Sequence, residues 1–101
     1  MSHEKYLIII NIPPSLEESM VDCLLTLENA QNFTSFRVSA HDPFNQNFSV
    51  DEQVMGRQRK IRFELHVEKN TIGLVLTRLK EGFSGANLEY WIMPIIEQGK
   101  I

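Results

Sequence analysis

Lys5-Tyr6-Leu7-Ile8-Ile9-Ile10-Asn11-Ile12 is the stretch on which the fold turns. Tyr6, Ile8, Ile10 and Ile12 share one parity and Leu7 and Ile9 the other, with only Asn11 breaking the pattern. β-branched residues on both parities predict a strand buried on two faces, in the interior of a sheet. Pro13-Pro14 ends it, since proline has no N–H for the ladder. Residues 87–96 (NLEYWIMPII) repeat the signature near the other end of the chain: Tyr90, Ile92 and Pro94 oppose Trp91, Met93 and Ile95.

Working outward from the first strand, Ser15 with Glu18 three positions on has the form of a capping box, which predicts a helix over about 15–29. Leu16, Met20, Cys23, Leu24 and Leu27 would form its apolar stripe. Residues 33–41 alternate, with Phe36, Val38 and Ala40 against Arg37, Ser39 and His41. Residues 57–68 alternate more cleanly, with Ile61, Phe63, Leu65 and Val67 against Arg62, Glu64, His66 and Glu68. A second amphipathic helix follows Asn70-Thr71 through Ile72, Val75, Leu76, Leu79 and Phe83, with Gly82 and Gly85 at its close.

The order is βαββαβ. In a chain of 101 residues it predicts one α+β domain over 1–101 with the ferredoxin-like arrangement: a four-stranded antiparallel sheet, spatial order 4-1-3-2, carrying both helices on one face. Two helices cover one face only, so the apolar residues on the second face predict an oligomer formed through the sheet. The competing reading is ordinary surface hydrophobes.

Composition bounds the function. Hydrophobic residues are 43% and charged residues 23% of the chain, ordinary globular usage. No apolar run approaches the ~20 residues of a membrane span, and no signal peptide is visible at the N-terminus, so a cytoplasmic protein is expected. The single cysteine, Cys23, lies on the apolar stripe of the first helix and reads as core. A formal net charge of −3 argues against nucleic-acid binding. RNA-recognition domains of this topology stack bases on aromatics of the first and third strands. Here the first strand lacks its aromatic and the third lacks the Gly-aromatic pattern.

The connection from Asp42 to Gly56 is long, and structureless loops beyond ~12–15 residues are usually functional or disordered. It carries two aromatics, Phe44 and Phe48, and Ser49-Val50-Asp51-Glu52 has the form that caps a short helical turn. It runs into Arg57-Gln58-Arg59-Lys60-Ile61-Arg62, which holds four of the chain's ten basic residues. Arg57 and Arg59 share a parity and can clamp an anion, with Lys60 beside them. The same residues also suit a charged strand that discourages edge-to-edge pairing. No G-x-S-x-G, H-E-x-x-H or P-loop is present, so an enzyme is not expected. His3, His41 and His66 have no metal-ligand spacing. His41 or His66 would serve a metal only if a symmetric oligomer gathered its copies.

The βαββαβ order, the long second-to-third-strand connection, the segment Glu52-Gln53-Val54-Met55-Gly56-Arg57 and the ending Tyr90-Trp91-Ile92-Met93-Pro94-Ile95 with Gly99 together resemble a family of small PII-like (GlnB-like) proteins without assigned function, whose members often lie beside heavy-metal efflux systems. The resemblance implies a PII-like fold, a homotrimer and a regulatory or sensor role. It implies a small ligand in inter-subunit clefts and a 42–56 loop that engages a protein partner, through Phe44, Phe48, Glu52 and Gln53. The efflux association points to a membrane efflux component as that partner. PII proteins proper carry Gly-Arg-Gln-Lys-Gly where the loop begins. Here the similar Gly56-Arg57-Gln58-Arg59-Lys60 stands where it ends, and residues 81–87 lack the terminal basic residue that holds nucleotide phosphates. The CutA-type proteins share the fold and trimer, and supply the alternative of a divalent-metal-binding tolerance protein. The ligand itself is not readable from these residues.

Overall fold

The computed structural model describes residues 4–27, 32–41, 49–55 and 57–101. Four strands, β1 (Lys5–Ile12), β2 (Phe33–Ala40), β3 (Gln58–Glu68) and β4 (Glu89–Pro94), form one sheet in the order β2-β3-β1-β4. Each neighbouring pair is antiparallel. The expected 4-1-3-2 order therefore holds, and the doubly apolar β1 is interior as its residues require. The helices are α1 (Glu17–Leu25), the short α2 (Val50–Met55) and α3 (Ile72–Phe83).

The register shows which parity goes where. Ile8 lies opposite Leu65, Ile10 opposite Phe63 and Ile12 opposite Ile61. These residues, with Val67, pack against Met20 and Leu24 of α1 and Val75 of α3 in one buried core. Phe33 adds a tilted ring contact to the wholly buried Phe63, with centroids 6.2 Å apart. The α3 stripe reads as expected, with Ile72, Leu79 and Phe83 against the core. Cys23 is a free, partly buried thiol whose Sγ lies about 4.0 Å from where a Cβ on Gly82 would stand. No helix among the described residues is long and apolar enough to cross a membrane.

Three local expectations are corrected. Ser15 does not cap the first helix: a 3-10 turn, Pro14–Leu16, precedes α1, and Pro13 with its extended backbone stands at the cap without a side-chain hydrogen bond. The two prolines fix φ near the helical value and set the turn themselves, so no hydroxyl is needed. The first helix is also shorter than the stripe suggests, stopping at Leu25, where Thr26 Oγ1 donates to the Cys23 carbonyl at 2.7 Å. Gly82 lies inside α3; the left-handed positions come after it, at Gly85 (φ 86°) and Asn87 (φ 54°).

The open face of the sheet carries the other parity. Leu7 pairs with Met93 and Ile9 with Trp91 across β1 and β4, while Phe36 pairs with Arg62 and Val38 with Lys60 across β2 and β3. Thus the apolar parity of β2 points away from the helices. Trp91, Met93 and Phe36 are 43%, 46% and 45% exposed. Arg62 ties this face together: its Nε donates to Asn11 Oδ1 at 2.8 Å, and its guanidinium carbon sits 5.9 Å from the Trp91 ring centroid, within cation–π range.

Candidate functional site

The basic residues come together for a reason of strand length. β3 has eleven residues, about 36 Å at strand rise, whereas the nine residues of α1 cover about 13 Å. Pairing of β1 with β3 ends at Ile12 opposite Ile61, where the prolines turn the chain away. Beyond that point β3 pairs with β2 alone, and its helix-side parity has no helix over it. Arg59 lies there, opposite Ser39. Arg37 is on the same face of β2, diagonal to Arg59 through the pair Arg37–Ile61; such diagonal neighbours are ~7–8 Å apart.

The result is a cleft of about 510 Å³ between the start of the first helix and the end of the β2–β3 ladder. Arg37, Arg57, Arg59 and Lys60 line it, with Glu17 as its one carboxylate. Ser39 supplies a hydroxyl, and Pro14 and Ile61 an apolar wall. Arg57 and Arg59 are thus gathered on one face in this concavity, whereas Lys60 lines it from a strand position whose side chain belongs to the open face. Arg37 is the residue that sequence reasoning missed. It stood on the polar parity of β2, but the register that carries it to Arg59 is a tertiary fact. Three guanidiniums, those of Arg37, Arg57 and Arg59, beside one carboxylate suit a ligand with more than one negative charge, held by charge-assisted hydrogen bonds with an aliphatic portion against the apolar wall.

α2 stands beside this cleft, and its residues satisfy the capping motif as expected. The Ser49 backbone N–H donates to Glu52 Oε1 at 2.9 Å and the Glu52 N–H to Ser49 Oγ at 3.2 Å. The Arg57 N–H then donates to the Glu52 carbonyl at 3.2 Å. Glu52, expected to face a partner, uses one carboxylate oxygen to hold its own helix. Phe44, Phe48 and the Gln53 side chain lie outside the described residues.

The histidines are not brought together. His41 follows the end of β2, beside the basic end of the sheet, whereas His66 is eight residues along β3 from Gln58, about 26 Å away at strand rise. Among the described residues no three His, Cys, Asp or Glu side chains gather in a metal-binding group. His66 lies on the open face opposite Leu7, and its Nδ1 is buried without a hydrogen-bond partner. A small polar pocket with Lys5, Asn32, Glu68 and Gln98 adjoins it.

Comparison with known proteins places this architecture. No curated protein matches the chain in sequence. Among solved structures, a DUF3240 family protein of Shewanella baltica superposes with a TM-score of 0.75 at 24% identity, covering 100% of this chain and 99% of the other. Arabidopsis thaliana PII bound to citrate superposes with a TM-score of 0.67 at 15% identity, covering 93% and 79%. A functionally unknown protein from Pediococcus pentosaceus gives 0.64 at 12% identity, covering 99% and 100%. These identities speak for the fold, which is PII-like. The family model described as "Protein of unknown function (DUF3240)" matches residues 1–101, and the chain belongs to that family.

Proposed function

We propose that this chain is a cytoplasmic regulatory protein that binds a multivalent organic anion in the basic cleft and reports its presence to a protein partner through residues 42–56. The observation that carries this reading is the convergence of Arg37, Arg57 and Arg59 on one concavity of about 510 Å³, with Lys60 at the adjoining strand position. A strand edge defended by charge has no need of a second strand's arginine, an apolar wall and a hydroxyl in the same place. α2, which lies within residues 42–56, is hydrogen-bonded to Arg57 of the cleft through the Glu52 carbonyl, so anion binding and the placement of α2 share backbone. The likeness of fold to PII supports a binding role rather than catalysis.

The assembly proposed is a homotrimer formed through the open sheet face, where Trp91, Met93 and Phe36 are otherwise left to water. The resemblance to proteins found beside heavy-metal efflux systems makes an efflux component the partner to test first. The unpartnered Nδ1 of His66 favours one second reading, a CutA-like divalent-metal site built from copies of His66 across the trimer.

A thermal-shift series on the purified protein tests both, since a ligand that binds only the folded state raises the melting temperature. The probes are citrate, 2-oxoglutarate, ATP, bicarbonate, Zn²⁺ and Cu²⁺. A rise with a multivalent anion that disappears in the Arg57→Gln, Arg59→Gln double variant is expected. A rise with metal alone, lost in His66→Leu, would replace the anion reading by the metal one. No response to any anion would overturn it.

A further inference from the structure

We propose a second ligand site, for an amphiphilic carboxylate, in the apolar pocket where α3 and β4 meet. The core does not close there. Ile10 of β1 and Met20 of α1, both buried, form the floor. Leu76, Leu79 and Phe83, three residues of the α3 stripe, form the walls of a pocket of about 270 Å³. An apolar cavity of ~150 Å³ is enough to take benzene. This one has room for two fused rings or a chain of about eight to ten carbons, at the small end of natural ligand pockets, which start near ~300 Å³. An apolar lining gives ordered water nothing to bond to, so the space is better filled by hydrocarbon.

The mouth determines the other end of the ligand. Lys80, Ser84, Asn87 and Tyr90 line it, and all four are exposed. Lys80 is the one charged residue of the lining, so an anionic head is favoured over a neutral or cationic one. The turn that brings Ser84 and Asn87 to this mouth reverses through Gly85 (φ 86°) and Asn87 (φ 54°). Asn is among the few side-chain-bearing residues that adopt the left-handed region readily, so it can hold that turn while presenting its amide. The pocket shares no residue with the basic cleft, so the two sites stand or fall separately.

The test is a titration of the isotopically labelled full chain, followed by NMR, with 2-naphthoate and octanoate as probes and 2-naphthamide as the neutral control. Saturable shifts in the methyls of Ile10, Leu76 and Leu79 are expected. Lys80→Gln should weaken naphthoate about two- to fivefold, as befits one exposed charge contact, and leave naphthamide unchanged. Ser84→Trp, an exposed change that spares the core, should obstruct both. Shifts confined to Leu7, Ile9 and Met93 would show that the probes merely coat the open sheet face, and would overturn the proposal. An unchanged naphthoate affinity in Lys80→Gln would do the same, as would a pocket already filled by a second copy, seen as these methyl shifts changing on dilution without any probe.

Discussion

Arg37→Gln should make the empty protein more stable and the liganded protein less so. Three guanidiniums held in one cleft repel one another until an anion arrives, and Arg37 faces Arg59 across a diagonal of the β2–β3 ladder. At ~7–8 Å, two unit charges in water repel by about 0.5 kcal/mol, reduced to about 0.2 kcal/mol at physiological salt. With a smaller repulsion from Arg57 set against the attraction of Glu17 in the same cleft, removal of Arg37 should relieve about 0.2 kcal/mol. For a domain of this size that raises the melting temperature by about 1 °C. Anion affinity should move the other way. A charge-assisted hydrogen bond is worth ~1.5–3 kcal/mol, and Arg37 is exposed, so the lower end applies and binding should weaken about tenfold. Differential scanning calorimetry of the apo proteins and isothermal titration with the anion that shifts the wild type provide the two readouts. The apo gain should vanish near 1 M salt, where the Debye length is ~3 Å. A variant that melts lower than wild type at low salt, or that binds the anion equally well, would refute the reasoning: Arg37 would then be a structural residue or plain surface charge.

For the open face, Trp91→Lys with Met93→Lys should convert a species of about 35 kDa, three times 11.7 kDa, to the monomer by light scattering, whereas a wild type already monomeric at micromolar concentration removes the trimer. Phe63→Ala deletes a wholly buried ring in contact with Phe33 and should cost about 3–5 kcal/mol in urea unfolding; a loss under about 1.5 kcal/mol would mean that the core is looser than described. Ser49→Ala removes one half of the reciprocal cap on α2 and should speed amide exchange at 50–55, in line with a local loss of about 1 kcal/mol, while leaving the global melting temperature where it was. His66→Leu exchanges a side chain with a buried, unpartnered Nδ1 for an apolar one and should be neutral or stabilising by chemical denaturation; a loss above about 2 kcal/mol would show that this nitrogen has a partner in the assembled protein.

Much of the fold was legible because hydrophobic period is a local property. The double parity of Lys5–Ile12, the clean alternation of 57–68 and the 3–4 spacing through Ile72–Phe83 each predict their element and its buried face without reference to the rest of the chain. The βαββαβ order then leaves one economical topology, and the cap of α2 was readable because Ser49 and Glu52 close it within a single turn. Local signals failed where two of them competed. Ser15 and Glu18 had the spacing of a cap, but Pro13-Pro14 had already set the turn, so the helix began after them.

The site was legible only by half. Arg57, Arg59 and Lys60 are near neighbours in the chain, and a run of charge can be seen in one dimension. What sequence could not supply was Arg37, some twenty residues earlier, or Glu17 and Pro14 at the start of the first helix. Their approach depends on the β2–β3 register and on a third strand that outruns the helix layer, leaving its last turn of the ladder uncovered. The pocket at Lys80 belongs to the same class, since Ile10, Met20, Leu79 and Tyr90 come from four elements. Periodicity determines which side of an element is apolar; only the packing of one element against another decides where that apolar surface closes and where it leaves a space.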